Sequence, residues 1–125
     1  MVWVSPNDVR TAVERERDAA RRRIADLESS FDAIVASVDT ANTDDEHDAE
    51  GPTLGFERAQ VVSMLEAARE QLDALDDAAS RIDAGTYGVC EHCGRNIGDE
   101  RLAARPSASL CVDCATRTAR MTRTP

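Results

Sequence analysis

Val61-Val62-Ser63-Met64-Leu65-Glu66-Ala67-Ala68-Arg69-Glu70-Gln71-Leu72-Asp73-Ala74-Leu75-Asp76-Asp77-Ala78-Ala79-Ser80-Arg81-Ile82 sets the fold class. Its apolar side chains recur at Val61, Leu65, Ala68, Leu72, Leu75, Ala79 and Ile82, in strict steps of four and three. A repeat of about 3.5 residues is the mark of a helix with one narrow seam that must be covered by another helix. The cover lies upstream in the same chain. Ala20, Ile24, Leu27, Phe31, Ile34 and Val38 repeat the pattern, and Val9 and Val13 extend it backwards past a polar interruption at Arg17.

These stripes predict one helix over about residues 8–38 and a second over about 54–84. Each would be roughly 45 Å long at 1.5 Å per residue. Matched lengths joined by a polar connection predict an antiparallel coiled-coil hairpin; the competing arrangement is a parallel homodimer of one long helix. Gly51, Pro52 and Gly55 interrupt the chain between the stripes and favour the hairpin, and with it a monomer. Ser5 is the expected cap of the first helix, with Pro6 at its first position and Asp8 completing a capping box. Gly85 is the expected stop of the second.

Residues 39–52 contain six carboxylates and no basic side chain. This acidic turn is either a solvated loop or a negative tip offered to a metal or a partner, and it lacks the ligand spacing and central glycine of a calcium-binding EF-hand loop.

Cys90-Glu91-His92-Cys93, seventeen intervening residues, and Cys111-Val112-Asp113-Cys114 form C-x2-C-x17-C-x2-C. Two residues between cysteines allow both sulfurs of a pair to face one ion, and two pairs complete a tetrahedron. One structural zinc held by Cys90, Cys93, Cys111 and Cys114 is the expected cofactor, although iron accepts the same ligands. A redox dithiol fits poorly, because it needs a single pair in a strand–helix setting. Four thiolates close the coordination sphere, so the metal is expected to staple the fold and not to catalyse. Gly94 frees the backbone to turn after the second cysteine, and His92 is expected to be an exposed turn residue and not a ligand.

The expected architecture is therefore all-α dominated: a hairpin at residues 1–84 with an acidic tip at about 39–52, then a zinc-finger module with a short C-terminal helix at 85–125. Composition narrows the function. The 125 residues carry a net charge of −9, with 24 acidic and 15 basic side chains, every basic one an arginine. That balance argues against wrapping nucleic acid by bulk charge. Residues 85–125 hold six arginines against four acids, a thin footprint for phosphate. No nucleophile–base pair or open metal site suggests an enzyme. No apolar run is long enough for a membrane span or a signal peptide, and reduced cysteine pairs suit a cytoplasmic protein.

The stretch Tyr87-Gly88-Val89-Cys90-Glu91-His92-Cys93-Gly94, followed by Ile97-Gly98, Arg101-Leu102, Ala104-Arg105-Pro106 and Leu110-Cys111-Val112-Asp113-Cys114, resembles the DksA/TraR family of four-cysteine zinc finger proteins. The resemblance covers about Asp45 to Cys114, and the first helix by pattern alone. It implies a regulator that binds bacterial RNA polymerase, not promoter DNA, with its coiled coil in the secondary channel and its acidic tip near the catalytic centre. The family's tip motif Asp-x-x-Asp-x-Ala corresponds to Asp45-Glu46-His47-Asp48-Ala49-Glu50, so Asp45 and Asp48 become the polymerase-contacting residues, with Glu50 in place of the alanine. Phe56 matches a phenylalanine the family often has early in the second helix. Of three basic alarmone-contacting positions, this chain has Ala74, Arg105 and Ala115, which leaves Arg105 as the phosphate contact and implies a weak or absent response to ppGpp. The competing function is a zinc-ribbon adaptor for another protein, with the acidic turn merely solvated; a third is nucleic-acid binding through the Arg-rich base.

Overall fold

The computed structural model describes residues 6–44 and 51–123, and side chains within 7–37 and 53–120. Four helices follow in order: α1, Pro6–Asp44; α2, Gly51–Ala84; α3, Asp99–Ala104; and α4, Val112–Arg123. Among the described residues there is no strand; one antiparallel bridge pairs Val89 with Asn96. No described helix is long and apolar enough to cross a membrane.

The chain divides into two compact units, Met1–Arg17 with Asp73–Pro125, and Asp18–Leu72. In the second unit Leu27, Leu65 and Ala68 are buried together, with Ile24 and Val61 packed against them. All five belong to the two sequence stripes, so the seam is the one the periodicity predicts. Arg69 reaches Glu28 at 2.9 Å beside it.

In the first unit Arg10 pairs with Asp83 at 2.6 Å and Arg17 with Asp76 at 2.9 Å. Seven residues forward along α1 correspond to seven residues back along α2, which is the register of an antiparallel pair. Val13, Leu75 and Ala78 are completely buried. Here the seam departs from the strict repeat: Ala78 is buried and Ala79 only half-buried.

The helix ends also differ from the stripes. α1 continues past residue 38 to Asp44, and α2 begins at Gly51, so Asp39, Asp44, Gly51, Pro52 and Gly55 are helical and not part of a loop. Apolar periodicity reports only where a helix needs cover; polar residues with fair helix propensity carry it further. Pro52 sits in the first turn of α2, where its missing N–H has no intrahelical acceptor to lose. Pro6 opens α1 in the same way, with Asp8 in its first turn, whereas the Ser5 cap lies outside the described residues.

α2 ends as expected. Gly85 takes φ +78°, its N–H donates to Ile82 O at 3.1 Å, and the Thr86 N–H donates to Arg81 O at 2.9 Å. This paired closure satisfies two terminal carbonyls and needs a left-handed residue, which glycine supplies without strain.

Candidate metal centre

The module after Gly85 has little apolar material of its own. Its buried cluster is Cys90, Ile97, Leu102, Ala108 and Cys114, with Tyr87, Leu110 and Cys111 packed against it. Two of the five buried members are the cysteines themselves, so whatever holds the sulfurs together also holds the core.

The first cysteine pair lies in a turn built by backbone hydrogen bonds. The Cys90 N–H donates to Arg95 O at 2.8 Å, the Gly94 N–H to Cys90 O at 3.0 Å, and the Ile97 N–H to Gly88 O at 2.8 Å. Gly94 has φ +77°, the left-handed conformation expected of it. The second pair straddles the start of α4: Cys111 precedes the helix, and its carbonyl accepts the Ala115 N–H at 2.9 Å. The Glu91 N–H donates to Ser109 O at 2.9 Å and joins the two halves.

Side chains brace this arrangement. Tyr87 Oη donates to Pro106 O at 2.8 Å, and Arg101 Nε donates to Leu110 O at 2.8 Å. Arg81, in the last turn of α2, sends one terminal nitrogen toward Ala108 O at 3.4 Å and pairs the other with Glu91 at 3.5 Å. Sequence reading missed this role. A cation in the last helical turn reads as a dipole partner, and nothing local shows that its head reaches the cysteine turn.

The four sulfurs of Cys90, Cys93, Cys111 and Cys114 all lie within 4.8 Å of one another. Cys93 Sγ and Cys111 Sγ are 3.8 Å apart. Sulfurs at the corners of a tetrahedron around zinc, each about 2.3 Å from the ion, stand about 3.8 Å apart. The donor set therefore fits zinc in type, number and spacing. Cys90 and Cys114 are buried, Cys111 is half-buried and Cys93 exposed.

The protein surroundings act unequally on the two buried sulfurs. The Cys93 N–H, 3.5 Å from Cys90 Sγ, is the main cause that draws the Cys90 thiol down to about 6; burial opposes it, and the Cys111 and His92 N–H groups assist. Burial, followed by the neighbouring thiols, pushes Cys114 up to about 12. A divalent cation removes that penalty by stabilising the thiolate directly.

His92 is exposed, as expected, but it is more than a turn residue: its Nδ1 lies 3.4 Å from Cys114 Sγ. Arg105 caps the end of α3 with its side chain in solvent. Asp45 and Asp48 lie outside the described residues.

Comparison with known proteins agrees with this geometry. Residues 85–118 match the prokaryotic DksA/TraR C4-type zinc finger. Over 99 residues the chain is 31% identical to the RNA polymerase-binding transcription factor DksA of Haemophilus influenzae, covering 79% of this chain and 61% of that protein. It is 40% identical over 48 residues to the protein of the same name from Escherichia coli, covering 38% of this chain and 32% of that one. The chain thus spans about three fifths of the H. influenzae relative and about a third of the E. coli one in these alignments. Among solved structures it is similar to the transcription factor DksA2 of Pseudomonas aeruginosa, with a TM-score of 0.75 and 25% identity, over 95% of this chain and 86% of that one. With two long helices and a four-sulfur site of zinc dimensions, the chain carries at residues 85–118 a segment that matches the prokaryotic DksA/TraR C4-type zinc finger, and it is similar to DksA-named proteins over most of its length.

Proposed function

We propose that this protein is a transcription regulator that binds bacterial RNA polymerase through the secondary channel and acts from the cytoplasm as a monomer. The observation that carries the reading is the 31% identity over 99 residues, 79% of the chain, to a relative named as RNA polymerase-binding. In this reading residues 1–84 serve as the hairpin that enters the channel, and residues 85–125 as its base, closed by one structural zinc on Cys90, Cys93, Cys111 and Cys114. Zinc supplies a folded core and no chemistry at the polymerase. Asp45 and Asp48 are the residues placed near the catalytic centre, where their charge would favour one polymerase conformation over another; a ligand shifts such an equilibrium only by its difference in affinity for the two states. Sequence-specific DNA binding has no part in it. Arg105 is the one candidate phosphate contact, so ppGpp is expected to have little effect; inhibition that depends on ppGpp and disappears in Arg105→Ala would overturn that expectation.

The direct test replaces Asp48 with a photoreactive residue and crosslinks the zinc-loaded protein to purified bacterial RNA polymerase. Crosslinks to the catalytic subunit near its active centre are expected. A folded, zinc-loaded protein that forms none would overturn the channel reading in favour of an adaptor whose acidic turn is only solvated.

A further inference from the structure

We propose that His92 is an outer donor to the Cys114 thiolate in the metal-loaded site, and that this bond governs how slowly the ion leaves. The inference rests on the zinc reading of the four cysteines and concerns a residue that is not itself a ligand.

Four thiolates around a divalent ion leave two negative charges in a small volume. Sites of this kind are held by N–H groups aimed at the sulfurs, which spread that charge and fix each sulfur's position. Cys90 receives the Cys93 N–H, with those of Cys111 and His92 close by. Cys114 Sγ is buried beside the other three thiols, and His92 Nδ1 lies 3.4 Å from it.

The contact is 3.4 Å, a normal N–H···S separation because sulfur is larger than oxygen, and it requires the ring hydrogen on Nδ1. Position matters as much as distance. His92 belongs to the turn of the first cysteine pair, whereas Cys114 lies in α4. The bond therefore runs between the two halves of the site, parallel to the backbone link from Glu91 to Ser109. Loss of the ion requires these halves to part, and the His92–Cys114 bond resists that opening. Because the ring is exposed, water competes for it, so the effect belongs at the lower end of the range for such donors, about tenfold.

The test loads the full chain with zinc and follows transfer of the ion to a chromogenic chelator. His92→Phe and His92→Ala are expected to release zinc about tenfold faster than the wild type. His92→Gln, whose amide N–H can reach the same sulfur, is expected to restore most of the difference. Cobalt-loaded wild type and His92→Phe are expected to share one four-sulfur absorption spectrum. Equal release rates in zinc-loaded wild type, His92→Phe and His92→Ala would overturn the inference alone, as would a cobalt spectrum showing His92 as a ligand. A wild-type chain that takes up no zinc would overturn the metal reading first, and this inference with it.

Discussion

Arg17 Nε donates to Asp76 Oδ1 at 2.9 Å, joining α1 to α2 at the position where the apolar stripe of α1 lapses. Arg17 also pairs with Glu14 at 2.6 Å, while its partners remain about half exposed. Exposed ion pairs are screened by water and contribute up to about 1 kcal/mol. Asp76→Ala is therefore expected to lower stability by less than about 1 kcal/mol, and Arg17→Met to cost no more, since its stem restores the stripe. Denaturant titration checks both; a loss of several kcal/mol from Asp76→Ala would show that the pair is desolvated.

Two apolar residues on α2 are expected to differ sharply. Leu75 is fully buried, and Leu75→Ala should cost about 2–5 kcal/mol, because it removes transfer energy and leaves a cavity. Phe56 is 72% exposed, and Phe56→Ala should change stability by no more than about 0.5 kcal/mol. Thermal melts of both variants, with helix content as the readout, test the assignment of the seam.

Removing the metal should unfold the module locally. Cys90 and Cys114 are core members, so chelation, or Cys111→Ser, takes away the centre of the cluster and not only a ligand. Amide NMR signals of residues 85–123 are expected to collapse. Those around Leu27, Leu65 and Ala68 should persist, because that cluster contains no cysteine. Signals that survive chelation throughout 85–123 would show that the module folds without metal.

Tyr87 offers a pH probe, as it is the single tyrosine. Burial raises its phenol above the ordinary value of 10.0, against a smaller opposing effect of the Arg81 charge, and the protonated oxygen donates to Pro106 O. The folded state thus holds this proton more tightly than the unfolded state. Its contribution to stability is complete below the unfolded value of about 10 and is lost as pH rises through the higher folded value. Tyrosinate absorbance should appear later in the folded protein than in denaturant. Coincident titrations would contradict the burial of the phenol.

The legible part of this protein was what local geometry dictates. Ile24, Leu27, Val61, Leu65 and Ala68 were recognisable as a seam because a helix repeats side-chain direction on a fixed period. Cys90, Cys93, Cys111 and Cys114 were recognisable as one donor set because two residues between cysteines suffice to turn both sulfurs toward an ion. Gly85 and Gly94 were recognisable as turn points because few residues other than glycine take positive φ without strain. None of these judgements needs a partner from a distant part of the chain.

Tertiary structure alone decided the rest. Ala78 is completely buried and Ala79 only half-buried, a placement that the strict four-three repeat does not give. Arg81 reaches Glu91 and Ala108, and His92 reaches Cys114, across sequence separations that no periodicity encodes. Sequence spacing determines which atoms of one segment face the same way. Which segment they meet depends on how packing and the metal-binding turns bring separate stretches together, and that is a property of the folded chain.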